Sequence, residues 1–533
     1  ASFLAQRKGG AEDPYSAYPI VNLLDSTESM VLEDGTVWSL THVVRFVQTK
    51  SGVDKIGEIR PPRGSTLLEL RTIKANGDVL WPERVAGKDD ISFSGLVPGD
   101  AVEWAWLRRD EVRQDEGGYL TGIAFSQWGI PTRLKRASVT LAPNLNPVLR
   151  IRNGAPTPKL RALSDGGTQL FWEDEDLPPM SREPRSAPAR VFFPFVDIAV
   201  VARGASPKGT VHVTGSSPWE RIRRAYSGKV DQLARRGWRT LRRGASFQHH
   251  TQGRAQLKAA ASWVQREIKG TERFNRFSST VEQALARRKG NRSLVLMGLA
   301  RALGHDGTIL LCLPEPHGPH SDAEDPIPNA NRYWYPVVRT KLGDETVFMD
   351  VSDANTPFGD MPASLQGARC FSLDGDESGF VTLPKAKERV RPWRLVLTVD
   401  VDEHGGTRLE FHGQGRGTAT NALRQVYSRS DKTRHRLIWQ QWLTWMVPGS
   451  RLVDFEVSGA DDPGSDFRFK VRANAAGLFA KRTRGFAADA IVDSLWARHF
   501  STFPSLKELV SLSERDTPVQ FERHGEEFQL RLR

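Results

Sequence analysis

The strongest constraint on the fold is a helix pattern followed at once by three strand patterns, between residues 280 and 362. Residues 294–303 are almost wholly apolar and directly follow a polar, basic segment, which predicts a helix. β-Branched and aromatic residues then recur over residues 308–313, 332–340 and 345–350, which predicts three strands. A helix beside several short strands is typical of an α+β core.

The end of this helix, the third strand and the segment after it resemble the core of the transglutaminase-like superfamily. The matching residues are Ala300-Arg301-Ala302-Leu303-Gly304, Val347-Phe348-Met349-Asp350, Gly359-Asp360-Met361-Pro362 and Gln366-Gly367. In that family a Gly-Asp-Cys segment begins the helix, an Asn-His pair lies on the next strand, and an aspartate ends the following strand. The resemblance implies a papain-like α+β core over residues 211–385.

The positions that carry the family's chemistry are mostly replaced in this sequence. Arg292 occupies the nucleophile position, Tyr335 the histidine position and Asp350 the acid position. Arginine stays protonated in proteins and cannot be a nucleophile, and tyrosine, with an unperturbed pKa of about 10, is a poor base. The resemblance therefore implies a degenerate site without a catalytic residue, and the chain is not expected to be an enzyme.

Several cations surround the predicted start of the helix, and two interpretations of them stay open. They are Arg287, Arg288, Lys289 and Arg292. In one interpretation they are solvated, with Arg292 paired to Asp350. In the other they form an anion or partner site together with Trp334, because helix N-termini and arginines bind carboxylates and phosphates.

The two cysteines, Cys312 and Cys370, limit the redox and catalytic options. Two in 533 residues exclude a disulfide framework and a zinc ribbon. Cys312 lies in a short apolar run and is interpreted as a buried strand thiol, while its pairing with Cys370 stays undecided. The alternative function, a cysteine-type amide hydrolase or transglutaminase-like enzyme, would therefore need relocated catalytic residues.

Charge is the main clue to partners. The net charge of +12 and a pI near 9.7 predict attraction to anionic glycans, lipid head groups or nucleic acid. Residues 219–243 predict a very basic helix, either simply solvated or a polyanion-binding face. Without interleaved aromatics or a known motif, sequence-specific nucleic-acid binding is not expected.

A loop with two histidines, His317 and His320, followed by Asp322, is the place where a metal would be sought. Proline and glycine make this loop irregular, so it presents no fixed ligand face. Neither a metal nor a cofactor is predicted.

Two β-rich regions flank the predicted core. Residues 21–210 carry short strand patterns and the hairpin signal Ala75-Asn76-Gly77-Asp78, which predict an antiparallel β-sandwich. They resemble the sandwich of unknown function that precedes many bacterial transglutaminase-like cores. Residues 386–533 predict a C-terminal β-rich domain with a short helix near residues 487–500, and residues 1–20 a linker. The helix with Trp439, Trp442 and Trp445 is interpreted as buried against a sheet.

The expected setting and role follow from the resemblance and the charge. No run of about 18 apolar residues predicts a membrane-spanning helix, and the missing initiator Met suggests a piece of a longer chain. The resemblance implies a periplasmic or otherwise extracytoplasmic bacterial protein. We expect a non-catalytic binding or scaffold module whose partner is a protein or an anionic glycan or lipid surface.

Overall fold

The computed structural model describes residues 13–82, 89–112, 117–181, 189–202, 218–235, 253–270, 277–314, 327, 329, 332–373, 379–385, 393–404, 406–428, 430–475, 480–482, 485–487 and 526–532. Contacts divide the chain into two compact units, Ala1–Ile222 with Ser321–Ala330, and Arg223–His320 with Asn331–Arg533. The α+β class is confirmed, with several sheets in each unit. The segment limits at residues 20, 210 and 385 stay predictions.

The first unit is mostly β. Its strands are β1 (Ile20–Val31), β2 (Thr36–Val47), β3 (Glu58–Ile59), β4 (Ser65–Ile73), β5 (Val79–Leu80), β6 (Ile91–Ser92), β7 (Ala101–Glu111), β8 (Tyr119–Ala124), β9 (Thr132–Leu141), β10 (Leu145–Arg152), β11 (Lys159–Ala162), β12 (Thr168–Leu177) and β13 (Phe195–Ala202). Two short helices accompany them, α1 (Lys50–Ile56) and α2 (Ala189–Phe192). The predicted hairpin turn joins β4 to β5, with Gly77 at a φ of 93° that suits glycine.

Two sheets of this unit pack face to face. The larger has the order β11-β12-β9-β1-β2-β7-β4-β5 and the smaller β10-β13-β8. Val139 and Leu170 of the larger sheet share one buried cluster with Val196 and Ile198 of the smaller. The predicted sandwich is therefore confirmed, except that β1 and β9 pair in parallel. The chain passes through β8 in the other sheet before β9 begins, which allows β9 to run in the same direction as β1.

The first part of the second unit is the predicted α+β core. Its helices are α3 (Pro218–Arg235), whose first five residues belong to the first unit, α4 (Arg254–Glu267), α5 (Val281–Arg287) and α6 (Arg292–Ala302), with a 3-10 turn at Ala363–Leu365. Its strands are β14 (Lys269–Gly270), β15 (Lys289–Gly290), β16 (Asp306–Cys312), β17 (Tyr335–Leu342), β18 (Glu345–Met349), β19 (Arg369–Ser372) and β20 (Phe380–Thr382). The main sheet is antiparallel, in the order β18-β17-β16-β19-β20.

Helix α6 is central to this core. Asn291 caps it, because its side chain accepts a hydrogen bond from the Leu294 N–H at 3.1 Å. Residues 293–300 are all buried, so the helix is apolar on every side rather than amphipathic. It packs on β16 and β17 and thereby brings its first turn to the start of β17.

The last part of the second unit is a sheet covered on one face by helices. Its elements are β21 (Trp393–Val401), β22 (Thr407–Gly415), a 3-10 turn (Gly417–Thr420), α7 (Asn421–Ser428), α8 (Lys432–Met446), β23 (Arg451–Ser458), β24 (Phe467–Ala475), β25 (Ala480–Arg482), β26 (Gly485–Ala487) and β27 (Glu526–Leu532). The sheet order is β23-β24-β22-β21-β27, with β27 parallel to β21. Of the helix predicted near residues 487–500, Ala487 lies in β26 and the rest is outside the described residues.

The tryptophan-rich helix is α8, and most of it packs as expected. Trp439 is buried with Phe411 and Phe469 in the core below the sheet, and Trp442 packs against the same cluster. Trp445, in contrast, is exposed. Within the described part of the chain, no helix is both long enough and apolar enough to cross a membrane.

Candidate functional site

The three residues that the sequence resemblance singles out come together in the core. Arg292 is the first residue of α6, Tyr335 is the first residue of β17, and Asp350 directly follows β18. β17 and β18 are neighbouring antiparallel strands, so the start of one lies beside the end of the other. The fold therefore places Tyr335 beside Asp350, and half-buried Arg292 reaches the Ser352 carbonyl two residues further on.

Tyr335 and Asp350 form a direct hydrogen-bonded pair. The Tyr335 hydroxyl donates to a carboxylate oxygen of Asp350 at 3.0 Å, and both side chains are buried. Burial and the adjacent Asp350 charge raise the pKa of Tyr335 well above 10. Tyr335 therefore keeps its proton and uses it in the hydrogen bond to Asp350.

Two further donors complete the environment of Asp350. The Thr356 hydroxyl donates to the same oxygen at 2.8 Å, and the Ser352 N–H donates to the other oxygen at 2.8 Å. Burial nevertheless raises the pKa of Asp350 to about 6, because desolvation outweighs these hydrogen bonds. Asp350 is thus a fully enclosed carboxyl group whose acidity burial weakens.

Arg292 hydrogen-bonds to the main chain. Its guanidinium donates to the carbonyl oxygens of Ile268 at 2.6 Å, Ser352 at 3.1 Å and Gln265 at 3.3 Å. Burial lowers the pKa of Arg292, while Asp353 and Asp350 oppose this shift. One of the two interpretations from the sequence pairs Arg292 with Asp350. In the structure the hydrogen bonds of Arg292 go to these carbonyls instead. The side chain ties the end of α4 to the turn after β18.

A residue from the sheet-and-helix part of the same unit lies against this site. Asn421, the first residue of α7, donates to a carboxylate oxygen of Asp353 at 3.0 Å and contacts the Thr356 hydroxyl at 3.5 Å. Thr356 is fully buried. Sequence reasoning missed Asn421 because nothing near it in the chain resembles a site. Ser352 and Asp353 belong to the Asp-Val-Ser-Asp segment that ends the third strand pattern, which is a usable local signal.

The other cations predicted for an anion or partner site lie at the surface. Arg287, Arg288 and Lys289 are exposed. Arg288 pairs with Glu267 at 2.8 Å and lies over the Trp263 ring. Trp334 is half-buried, with its ring 5.6 Å from that of Tyr335. An anion site that uses these residues stays a prediction.

The two cysteines form a disulfide between β16 and β19. The interpretation of Cys312 as a buried strand thiol is correct for its burial and its strand, and wrong for the thiol. Cys312 is also paired with Tyr335 across the sheet, so the disulfide flanks the site. The sequence could not reveal the bridge, because 58 residues separate the two positions.

The loop of His317, His320 and Asp322, for which the sequence predicts no metal, lies outside the described residues. Among the residues that are described, no group of three or more His, Cys, Asp or Glu side chains could hold a metal ion.

One solved structure shares the fold over nearly its whole length. It is a candidate protease from Parabacteroides distasonis, with a TM-score of 0.51 and 12% identity over 91% of this chain and 98% of that one. At this identity the likeness shows the fold alone. No model of a protein family and no curated protein matches the chain.

Two other solved structures match smaller parts at scores too low to carry an argument. A candidate cysteine protease from Cytophaga hutchinsonii matches 39% of this chain and 65% of its own, with 10% identity and a TM-score of 0.18. An M1 zinc metallopeptidase from Deinococcus radiodurans matches 40% of this chain and 53% of its own, with 10% identity and a TM-score of 0.22.

Proposed function

We propose that this protein is a non-catalytic member of the transglutaminase-like superfamily that acts as a binding or scaffold module. One observation carries the proposal. The side chain at the nucleophile position, Arg292, donates three hydrogen bonds to main-chain carbonyls and stabilises the core. The site has become part of the internal framework of the protein.

The chemistry of acyl transfer supports this reading. Such a reaction needs an ionisable nucleophile at the helix start, a base that takes its proton and an acid that orients the base. Here the first position is a permanent cation, and the second is a tyrosine that donates to the third. The alternative, a relocated cysteine nucleophile, would require Cys312 or Cys370 to leave a buried disulfide.

The proposed partner is a protein or a polyanion, such as an anionic glycan or lipid head group. The net charge of +12 favours association with anionic surfaces. We place the protein outside the bacterial cytoplasm, in the periplasm or envelope. The disulfide supports this placement, because such bonds persist in oxidising compartments.

The test is a binding measurement on the oxidised, full chain. We would measure its affinity for an acidic polysaccharide, a neutral polysaccharide and anionic vesicles between about 50 and 300 mM salt. The proposal expects binding to an anionic probe that weakens steeply with salt. Absence of binding to every anionic probe would refute the proposed polyanionic partner. Rapid thiol labelling of Cys312 or Cys370, together with amide hydrolysis, would instead establish the alternative function, a cysteine-type amide hydrolase.

A further inference from the structure

The outer face of the last sheet carries a groove with a volume of about 390 Å³. Helix α8 covers the opposite face of this sheet, so the groove opens to solvent. Its polar lining consists chiefly of Arg394, His412, Gln414, Glu456, Arg468 and Lys470. They project on one side because β21, β22 and β24 are in register, with Arg394 opposite Gln414 and Gln414 opposite Arg468.

Positive charge dominates the groove at the Arg468 end. Asp466 accepts hydrogen bonds from both Arg416, at 2.7 Å, and Arg468, at 3.0 Å. The Asp466 side chain is only 12% exposed, whereas those of Arg416 and Arg468 are 66% and 61% exposed. The single carboxylate therefore lies beneath two cations whose heads face solvent, and an incoming anion meets the cations first.

The adjacent row carries charges of both signs. Glu410 accepts from His412 at 2.6 Å and pairs with Lys470 at 2.9 Å and Arg472 at 3.3 Å. Burial acts to raise the pKa of Glu410, but the contacts from His412 and Lys470 prevail and lower it to about 2. Arg472 also pairs with Asp454 at 3.1 Å and with Glu456 at 3.2 Å, so the charges of this row are offset and the excess of positive charge in the groove lies in the row of Arg394 and Arg468.

The spacing of the cations indicates what could bind. Arg394 and Arg468 lie on strands separated by one strand, so their backbones are about 10 Å apart. Gln414 lies between them, and its side-chain amide nitrogen donates to Asp466 at 2.8 Å, which leaves its carbonyl oxygen to accept from a hydroxyl group. The only aromatic residue of the lining, Phe469, is buried, so the groove offers no stacking surface for nucleic-acid bases.

We propose that this groove binds an acidic polysaccharide whose carboxylates pair with Arg394 and Arg468. The proposal rests on the proposed function and deepens it by naming the surface and the class of ligand. Alternating carboxylates and hydroxyls along such a chain match the succession of cation, amide and cation across the three strands. Arginine pairs with carboxylates through two parallel hydrogen bonds, which favours this ligand over a diffuse anionic surface.

The experiment uses hexagalacturonate as the acidic probe and maltohexaose as the neutral one, with calorimetry on the oxidised full chain. The groove variant is Arg394→Gln with Arg468→Gln. The matched control is Arg408→Gln with Arg451→Gln, two exposed arginines of the same sheet face in one row across β22, β24 and β23. That row lies about 20 Å along the strands from the groove row, and the change in net charge is the same.

We expect wild type to bind hexagalacturonate but not maltohexaose. The groove variant should lose about tenfold or more in affinity, and the control should stay within about twofold. Arg468→Lys keeps the charge and should lose less affinity for hexagalacturonate than the groove variant does. This conservative variant controls for loss of binding through misfolding.

Four results would overturn the proposed role of the groove. An equal loss in the groove and control variants would show diffuse attraction. An unchanged groove variant would place the glycan elsewhere and leave the proposed function standing. Binding of anionic vesicles without any binding of hexagalacturonate would assign the basic surface to lipid head groups. Absence of binding to every anionic probe would remove the polyanion arm of the proposed function as well.

Discussion

Replacing Arg292 with methionine tests whether this residue stabilises the core. Methionine fills a similar volume but removes every hydrogen bond to the carbonyls of Ile268, Ser352 and Gln265. An unmatched buried acceptor costs about 1 to 3 kcal/mol. Relief from burying the guanidinium charge offsets part of the loss, so we expect the free energy of unfolding to fall by about 3 kcal/mol, out of a typical 5 to 15.

The assay is urea denaturation followed by circular dichroism. Arg287→Met, on the exposed end of α5, is the matched control and should change the free energy of unfolding by less than about 0.5 kcal/mol. Arg292→Lys keeps the charge but not the planar set of donors, so its loss should be intermediate. A fully stable Arg292→Met that loses affinity for anions would refute the reasoning and establish Arg292 as a ligand-binding residue.

Three other changes probe the same unit. Burial raises the pKa of Asp350 from 3.8 to about 6. The folded state therefore binds the Asp350 proton more tightly than the unfolded state does. The stabilisation from this proton is fully present below about pH 4 and is lost as the pH rises through 6. The free energy of unfolding should fall by about 3 kcal/mol over this range. Asp350→Asn should abolish this part of the pH dependence, measured by urea titrations at pH 4 and 7. An unchanged pH dependence would show that Asp350 is not the group responsible. Replacing Cys312 and Cys370 by alanine removes a link across 58 residues and should lower the free energy of unfolding by about 4 kcal/mol, whereas equal urea midpoints would contradict this. Fully buried Arg424 donates to the carbonyls of a loop at Gly459, Asp462 and Ser465. Arg424→Met should therefore lower the free energy of unfolding by about 3 kcal/mol and make that loop susceptible to limited proteolysis. A loop that stays uncut would contradict this prediction.

The core was predictable where local pattern is strong. The apolar run predicted as residues 294–303 is α6, Arg292–Ala302, and the strand predicted at residues 345–350 is β18, Glu345–Met349. These segments combine dense apolar residues with clear caps and turns, so local preference and tertiary packing agree. The family resemblance then sufficed to bring Tyr335 and Asp350 together.

The contacts that decide the character of the site are non-local. The carbonyl partners of Arg292 come from two distant segments, the end of α4 and the turn after β18, and Asn421 reaches the site from about 70 residues away in the chain. The Cys312–Cys370 bridge likewise depends on sheet order rather than on spacing. Helix α7, which carries Asn421, is short and was not predicted. No sequence pattern encodes which main-chain carbonyls a buried arginine will meet.

The central claim is that Arg292, Tyr335 and Asp350 form a structural group and not a catalytic one. The most direct measurement is amide hydrolysis and transamidation of a peptide library, detected by mass spectrometry, with and without reductant at several pH values. Wild type and Tyr335→Phe would be compared under identical conditions. The account predicts no product above the buffer blank for either protein. Product formed by wild type and lost in Tyr335→Phe would contradict it.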